Sequence, residues 1–365
     1  ASPEAKERYF GMAAVLLVLF GAVLTVLIYF VSPSVLRLFG AEGEILSLAE
    51  EYMRFIALGS LFQVLGTGLT PFIRNMGGTV TAMAAMMAGF FTNIVLDYLF
   101  VWVFPWGMVG AAVATVIGQA ATFCVCLGYL IVKKQKPNFR FGGKGLRYAG
   151  KMLLLGLSPF GLAFSPQFML IFVNISASAV GGQFALNCFA PVSYAISVVL
   201  LLLQGVSDGC QPLVSREFGR GDVRSAKSVR NMAFAFALAV AAVCMVGMFF
   251  VRGSISKVFG ASDEVTAEVG NILPLFIAGF LFVGFSRIAT AFFYATGNTW
   301  RAYIVIYGEP LALLLLLLIL PNFMGITGTW LSVPLSQAFL AVAALLLILL
   351  YDRKQRKRES IVSEI

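Results

Sequence analysis

Histidine is absent from this chain, and Lys, Arg, Asp and Glu together make up only 12% of its 365 residues. The lack of histidine excludes His-based general bases, catalytic triads and His-ligated metal sites. A soluble domain of this size needs far more charge to cover its water-facing surface. Hydrophobic residues make up 60% of the chain, which indicates that its solvent is largely lipid.

Cysteine is also scarce. None of the five cysteines has the spacing of a metal site or of a pair in loops, and all lie in apolar stretches: Cys124, Cys126, Cys188, Cys210 and Cys244. We interpret them as small, buried, reduced residues, and we predict no disulfide, metal centre or cofactor.

Long apolar stretches alternate with short segments of Gly, Pro, Arg and Lys. About 20 apolar residues are enough to cross the hydrocarbon core of a bilayer. The pattern predicts an all-α membrane protein with ten spans, at residues 9–31, 46–74, 79–103, 109–132, 148–177, 184–216, 231–251, 265–296, 299–320 and 328–351.

The basic residues alternate between the two sides of these spans. Of 26 Lys and Arg residues, 21 fall on one side and four on the other, and Arg287 lies inside a span. Because basic loops stay in the cytoplasm, this bias places both termini there and predicts a bacterial inner-membrane location. The net charge of +9 therefore reflects topology, and we expect no nucleic-acid partner.

The chain contains an internal repeat. Shifting it by 220 positions aligns residues 34–82 with 254–302 and gives 13 identities in 49 positions. The first span then matches the seventh, and an even offset gives two parallel lobes related by a pseudo-twofold axis along the membrane normal. We predict an incomplete amino-terminal lobe at 1–132, a cytoplasmic linker at 133–147, a complete lobe at 148–351 and a cytoplasmic tail at 352–365.

The fifth and sixth spans have no counterpart in the first copy. The repeat therefore predicts that two helices of the first lobe are missing from this sequence. We expect the first four helices to leave a groove that exposes the third and fourth.

Five segments resemble motifs of multidrug and toxic compound extrusion transporters. They occur in the family's order and spacing, and the resemblance covers essentially all of the chain: FIRNMGG (72–78), NIVLD (93–97), GMVGAAVATVIGQ (107–119), GVSDGCQPLVS (205–215) and GITGTW (325–330). The resemblance implies twelve helices in a complete chain and proton- or sodium-coupled export of amphipathic, often cationic compounds by alternating access. We expect a monomer in membrane lipid that is not an enzyme.

The resemblance also implies a cation site. In the branch whose site lies in the amino-terminal lobe, the matching positions are Asn93, Asp97 and Thr115, and Asp97 is then the candidate ligand for Na⁺ or H⁺. The i, i+4 spacing of Asn93 and Asp97 independently puts both side chains on one helix face. The other branch uses a glutamate eight residues after a proline, where this chain has Gln167 after Pro159. The amino-lobe site is therefore favoured.

Two further charges lie deep within predicted spans, at Arg287 and Glu309. Each costs about 3 kcal/mol in lipid unless it is satisfied. Both lie about 14 Å from the same membrane face on consecutive helices, since a helix rises 1.5 Å per residue. We predict that they form a buried ion pair, and that Pro310 frees a carbonyl group that Arg287 also reaches. The alternative is that each faces a water-filled cleft.

Aromatic residues make up 13% of the chain. We place Phe168, Phe189 and Tyr194 as candidates for a substrate cleft between the lobes, although most aromatic side chains pack helices or face lipid. Two alternative functions remain at this point. One is a lipid-linked saccharide flippase of the same superfamily, and the other is an intramembrane enzyme or receptor.

Overall fold

The computed structural model of the chain describes residues 3–38, 42–135, 137–141 and 143–363. This part of the chain contains ten α-helices and no strand. They are α1 (Pro3–Leu38), α2 (Gly43–Asn75), α3 (Thr79–Asp97), α4 (Gly107–Val132), α5 (Gly145–Gly219), α6 (Val223–Val251), α7 (Asp263–Ile277), α8 (Phe280–Ala295), α9 (Thr299–Met324) and α10 (Ile326–Ser363). A π-helical segment, Tyr98–Val103, continues α3, and a 3-10 segment, Ile255–Phe259, precedes α7.

Helix α5 contains two membrane spans. Its 75 residues would extend about 110 Å as one straight helix, far beyond the roughly 30 Å hydrocarbon core. The break is at Gly182, where φ is 61° and ψ is −155°. Only glycine adopts this backbone conformation without strain. The two halves match the predicted spans 148–177 and 184–216.

Helices α7 and α8 form one bent span. They differ in direction by 40°, and the bend follows Pro274, which has no N–H group for the helical ladder. A Cβ atom on Gly279 would lie 1.9 Å from Oε1 of Gln337, so α10 approaches the backbone closely at the bend. With α5 counted as two spans and α7–α8 as one, the structure agrees with the ten predicted spans.

The repeat is visible in the backbone as well as in the sequence. Gly77 and Gly297, 220 positions apart, follow equivalent helices with φ angles of 87° and 74°. Gly107 and Gly325, 218 positions apart, both have φ at 58°. Positive φ angles at equivalent glycines show that both copies use the same turns.

The chain divides into two compact units between Leu153 and Leu154. Unit 1 packs α1 to α4 around a small core that includes Leu69, Ile73 and Cys126. Unit 2 has a larger core, in which α7 and α8 contribute Leu273, Phe276 and other buried side chains.

Within unit 1, α3 exposes many large apolar side chains, including Met83, Phe91 and Val95. Such a face suits lipid or another apolar helix. The groove left by two missing helices stays a prediction.

Candidate functional site

Asn93 and Asp97 occupy the last turns of α3. Asp97 is its final α-helical residue, and the π-helical segment starts at Tyr98. Single-turn π segments widen the backbone ladder and are frequent at functional sites. Oδ1 of Asp97 is buried and has no hydrogen-bond partner, so a carboxylate oxygen inside the membrane region lacks the compensation that such groups normally require.

Thr115 lies opposite on α4. Nδ2 of Asn93 donates a hydrogen bond to Oγ1 of Thr115 at 3.5 Å, and the Thr115 hydroxyl donates to the carbonyl oxygen of Ala111 at 2.9 Å. The two helices approach this closely because Gly118 has no side chain. A Cβ atom there would lie 2.9 Å from Cβ of Asn93 and 2.7 Å from the carbonyl oxygen of Gly89.

The structure therefore joins Asn93 to Thr115 directly and places Asp97 one helical turn further along the Asn93 face. Carboxylate, amide and hydroxyl oxygens are ligands suited to a hard cation, and a carboxylate also holds a proton. Gln119, one turn beyond Thr115, is a residue that the motif assignment did not single out as a ligand. Its Oε1 is also buried without a partner.

Arg287 is a buried base within the span formed by α7 and α8, with 7% of its surface exposed. Its Nη1 donates to the carbonyl oxygen of Leu162 at 3.1 Å and to Oε1 of Gln204 at 3.4 Å. Gln204 in turn donates to Oδ1 of Asp208 at 2.8 Å. The guanidinium group of α8 is thus held by both halves of α5.

Arg287 and Glu309 line the same small cavity, of about 10 Å³, but they do not form a direct ion pair. No Arg287 nitrogen lies within 4.0 Å of the Glu309 carboxylate. The hydroxyl groups of Ser165 and Ser286 line the cavity too, and both are buried without a partner. The volume is close to what one water molecule needs.

Pro310 was expected to free a carbonyl group for Arg287, but the carbonyl group that Arg287 contacts lies near a different proline. Arg287 satisfies the carbonyl group of Leu162, and the residue four positions later is Pro166, which has no N–H to donate to it. The sequence contained this signal, since any residue four positions before a proline inside a helix keeps a free carbonyl. What it did not show is which side chain reaches that carbonyl.

The three candidate cleft aromatics lie in different surroundings. Phe168 contacts Phe164 edge to face and stacks on Phe172 along the first half of α5. Phe189 is buried in the core of unit 2, with its ring 5.7 Å from that of Trp330. Tyr194 is exposed and stacks on Phe259 at 5.4 Å. No ring contact joins these three candidates, and Phe189 lies too deep to line a surface.

A family model described as MatE matches residues 1–99 and 163–318, which is more than half of the chain. The chain belongs to the MatE family. Members of this family are membrane transporters and not enzymes, and they need no cofactor. Both of these expectations are confirmed, as is the family resemblance itself.

Two bacterial relatives of the chain are multidrug export proteins. The multidrug export protein MepA of Staphylococcus aureus is 24% identical over 330 residues, which cover 88% of this chain and 72% of MepA. MepA of Staphylococcus saprophyticus is 24% identical over 340 residues, covering 91% of this chain and 74% of that protein.

Solved structures share the fold. A transporter of the MOP superfamily from Pyrococcus furiosus superposes with a TM-score of 0.86 at 20% identity, covering 94% of this chain and 78% of that one. An outward-facing multidrug resistance MATE family transporter gives a TM-score of 0.85 at 21% identity, covering 91% of this chain and 76% of its own. This likeness confirms the predicted all-α, two-lobed membrane fold.

Proposed function

We propose that this MatE family chain is a secondary active multidrug efflux transporter. It exports amphipathic, often cationic compounds, and proton or sodium antiport through alternating access drives the export. The buried, unpartnered Oδ1 of Asp97 beside the Asn93 and Thr115 contact carries the proposal. The names of the MepA relatives support the substrate class.

Asp97 is the coupling residue in this proposal. An ionised carboxylate without a partner in a low-dielectric environment is costly. A bound proton neutralises it, and a bound Na⁺ gives its oxygen a partner, with further oxygens from Asn93 and Thr115. Either ion changes the charge of α3 inside the membrane. If the ion binds the two access states with different affinity, it shifts the population between them.

The orientation and the assembly belong to the same proposal. Both termini lie in the cytoplasm of a bacterial cell, because the basic loops are cytoplasmic, and the transporter works as a monomer in membrane lipid. The flippase alternative is not favoured, because the curated relatives reported above are multidrug exporters.

Transport by reconstituted protein tests the proposal. Proteoliposomes loaded with a fluorescent amphipathic cation receive an imposed pH gradient or an imposed sodium gradient in separate experiments. We expect one gradient to drive release in wild type, and Asp97→Asn to abolish it. Asp222→Asn, in the loop before α6, is the matched control and should transport normally. If neither gradient moves the cation in wild type, or if Asp97→Asn transports at the wild-type rate, the proposal fails.

A further inference from the structure

A second, open cavity of about 780 Å³ lies in unit 2, where α6 ends and α7 begins. It is separate from the Arg287 and Glu309 cavity. Its walls combine basic, hydroxyl and aromatic side chains, among them Phe249, Phe250, Arg252, Lys257 and Thr266. This mixture suits a ligand with an anionic group and an apolar body.

Two cations and one carboxylate line the cavity. The guanidinium carbon of Arg252 lies 3.9 Å from the ring centre of Phe249, and the described residues place no carboxylate within ion-pair distance of it. Lys257 lies 3.9 Å from Asp263, whose side chain is fully exposed. Such an exposed pair contributes little and exchanges readily. Both cations therefore remain available to an anion.

The other two acids of α7 lie outside the cavity wall. Glu264 and Glu268 are one turn apart, and neither lines the cavity. Because these two carboxylates do not line the cavity, they repel a bound anion less strongly than a carboxylate in the cavity wall would.

Thr266 provides an independent sign of a ligand. It is 6% exposed, and its Oγ1 is buried without a hydrogen-bond partner although it lines the cavity. A buried hydroxyl without a partner is unfavourable, and an oxyanion in the cavity accepts a hydrogen bond from it.

Helix α6 ends at this cavity and carries an apolar face along its length. Large exposed side chains recur at helical spacing along it, at Met232, Phe236, Val243, Val246 and Phe250. Phe250, at the end of the helix, is 81% exposed. In a membrane-spanning helix such a stripe faces acyl chains, and the first base after it, Arg252, lies at the level of the headgroups.

We propose that this cavity binds the phosphate-bearing headgroup of an anionic phospholipid. Arg252 and Lys257 contact the phosphate oxygens, the Thr266 hydroxyl donates to one of them, and an acyl chain lies against Phe250 and the stripe on α6. The site is distinct from the transport site, and the proposal does not depend on which ion drives transport.

Lipid binding by purified protein tests this site. Native mass spectrometry of the detergent-solubilised chain measures retention of phosphatidylglycerol and of phosphatidylcholine with the same acyl chains. We expect wild type to retain phosphatidylglycerol preferentially, and Arg252→Gln/Lys257→Gln to weaken its binding about tenfold or more, because two charge-assisted hydrogen bonds are lost. Thr266→Val, nearly isosteric, should weaken it severalfold. Arg220→Gln, at an exposed pair on another loop, should not change it.

The same measurements contain the results that would overturn the site. Equal retention of the two lipids by wild type would remove the anionic specificity. Unchanged phosphatidylglycerol binding in both Arg252→Gln/Lys257→Gln and Thr266→Val would place the lipid elsewhere. A separate thermal-shift measurement compares the two possible sources of the phosphate group. If inorganic phosphate alone raises the melting temperature as much as phosphatidylglycerol does, the ligand is a free anion and the lipid assignment is wrong.

Discussion

Nη1 of Arg287 donates a hydrogen bond of 3.1 Å to the main-chain carbonyl oxygen of Leu162, four residues before Pro166. The proline removes the N–H that would normally satisfy this carbonyl group. The contact thus compensates two defects at once, because a guanidinium group inside the membrane and a free carbonyl are each costly alone. Glu309 lines the same small cavity as Arg287.

Removing the guanidinium group should destabilise unit 2. We expect Arg287→Met to lower the free energy of unfolding by about 3 kcal/mol, since it leaves the carbonyl group of Leu162 unsatisfied and removes the positive charge near the part-buried carboxylate of Glu309. Unfolding in mixed detergent and SDS measures this value. Arg54→Met, at an exposed pair with Glu50, should change it by less than about 0.5 kcal/mol.

Glu309→Gln tests whether the two charges interact across the cavity. Added to Arg287→Met, it should restore part of the lost stability, because it removes the uncompensated carboxylate. Strictly additive effects would show that Arg287 and Glu309 act independently.

Pro166→Ala should reduce the stability that is lost when Arg287 is replaced. It supplies an N–H group for Leu162, so Arg287→Met in the Pro166→Ala background should cost about 1 kcal/mol less than in wild type. The same unfolding titration measures the difference. Pro310→Ala is the matched control, since the hydrogen bonds of Arg287 go to Leu162 and Gln204 of α5 and not to a carbonyl group of α9 near that proline. Equal rescue by both substitutions would contradict the pairing of Leu162 with Arg287.

The Thr115 hydroxyl should tune the ion affinity. Thr115→Val keeps the shape of the side chain and removes the oxygen that accepts from Asn93. We expect the proton or sodium concentration for half-maximal transport to shift about tenfold, toward weaker binding. Thr122→Val, two turns further along α4, removes only a hydrogen bond to its own helix and should leave the ion dependence unchanged. Equal shifts in both variants would remove Thr115 from the site.

The ion pair between Arg230 and Asp352, at the start of the tail, should contribute to the stability of unit 2. Arg230 binds Asp352 through two hydrogen bonds of 3.1 and 3.0 Å, and its guanidinium carbon lies 4.8 Å from the ring centre of Phe292. Asp352→Ala leaves Arg230, whose side chain is 5% exposed, without its carboxylate. We expect a loss of about 2 kcal/mol, below the full cost of a buried pair because Asp352 is partly exposed. Glu217→Ala, at an exposed pair, should have little effect in the same assay.

The Asp222 cap at the start of α6 should contribute less stability at acidic pH. The side chain and then the backbone N–H of Ser225 donate hydrogen bonds to Asp222, and they hold the pKa of that carboxyl below its ordinary value of 3.8. A lowered pKa means that the cap contributes stability above the ordinary pKa and loses it as the pH falls through the lowered value. Asp222→Ala should therefore melt at a lower temperature than wild type near neutral pH, and the difference should shrink near pH 3. A difference that does not depend on pH would show that the carboxylate is not what stabilises this cap.

Much of the fold was predictable from the sequence. A residue facing lipid must be apolar, and a span needs about 20 such residues, so apolar length and turn residues predicted the ten spans. The 220-residue shift predicted the repeat, which reappears in the positive φ angles of Gly77 and Gly297. The bend between α7 and α8 was missed, because Pro274 permits both a straight and a broken span.

The sequence by itself determined that Asn93 and Asp97 share one helix face, through their i, i+4 spacing. Thr115 was expected from the family resemblance, and only the tertiary structure shows its hydrogen bond with Asn93, where α3 and α4 approach closely at Gly118. The tertiary structure alone decided the partner of Arg287. Depth in the membrane follows from counting residues along a helix, but the direction of a side chain depends on how each helix is rotated against its neighbours. That rotation directs Arg287 toward Leu162, 125 residues away in sequence, while Glu309 lines the same small cavity without a direct ion pair.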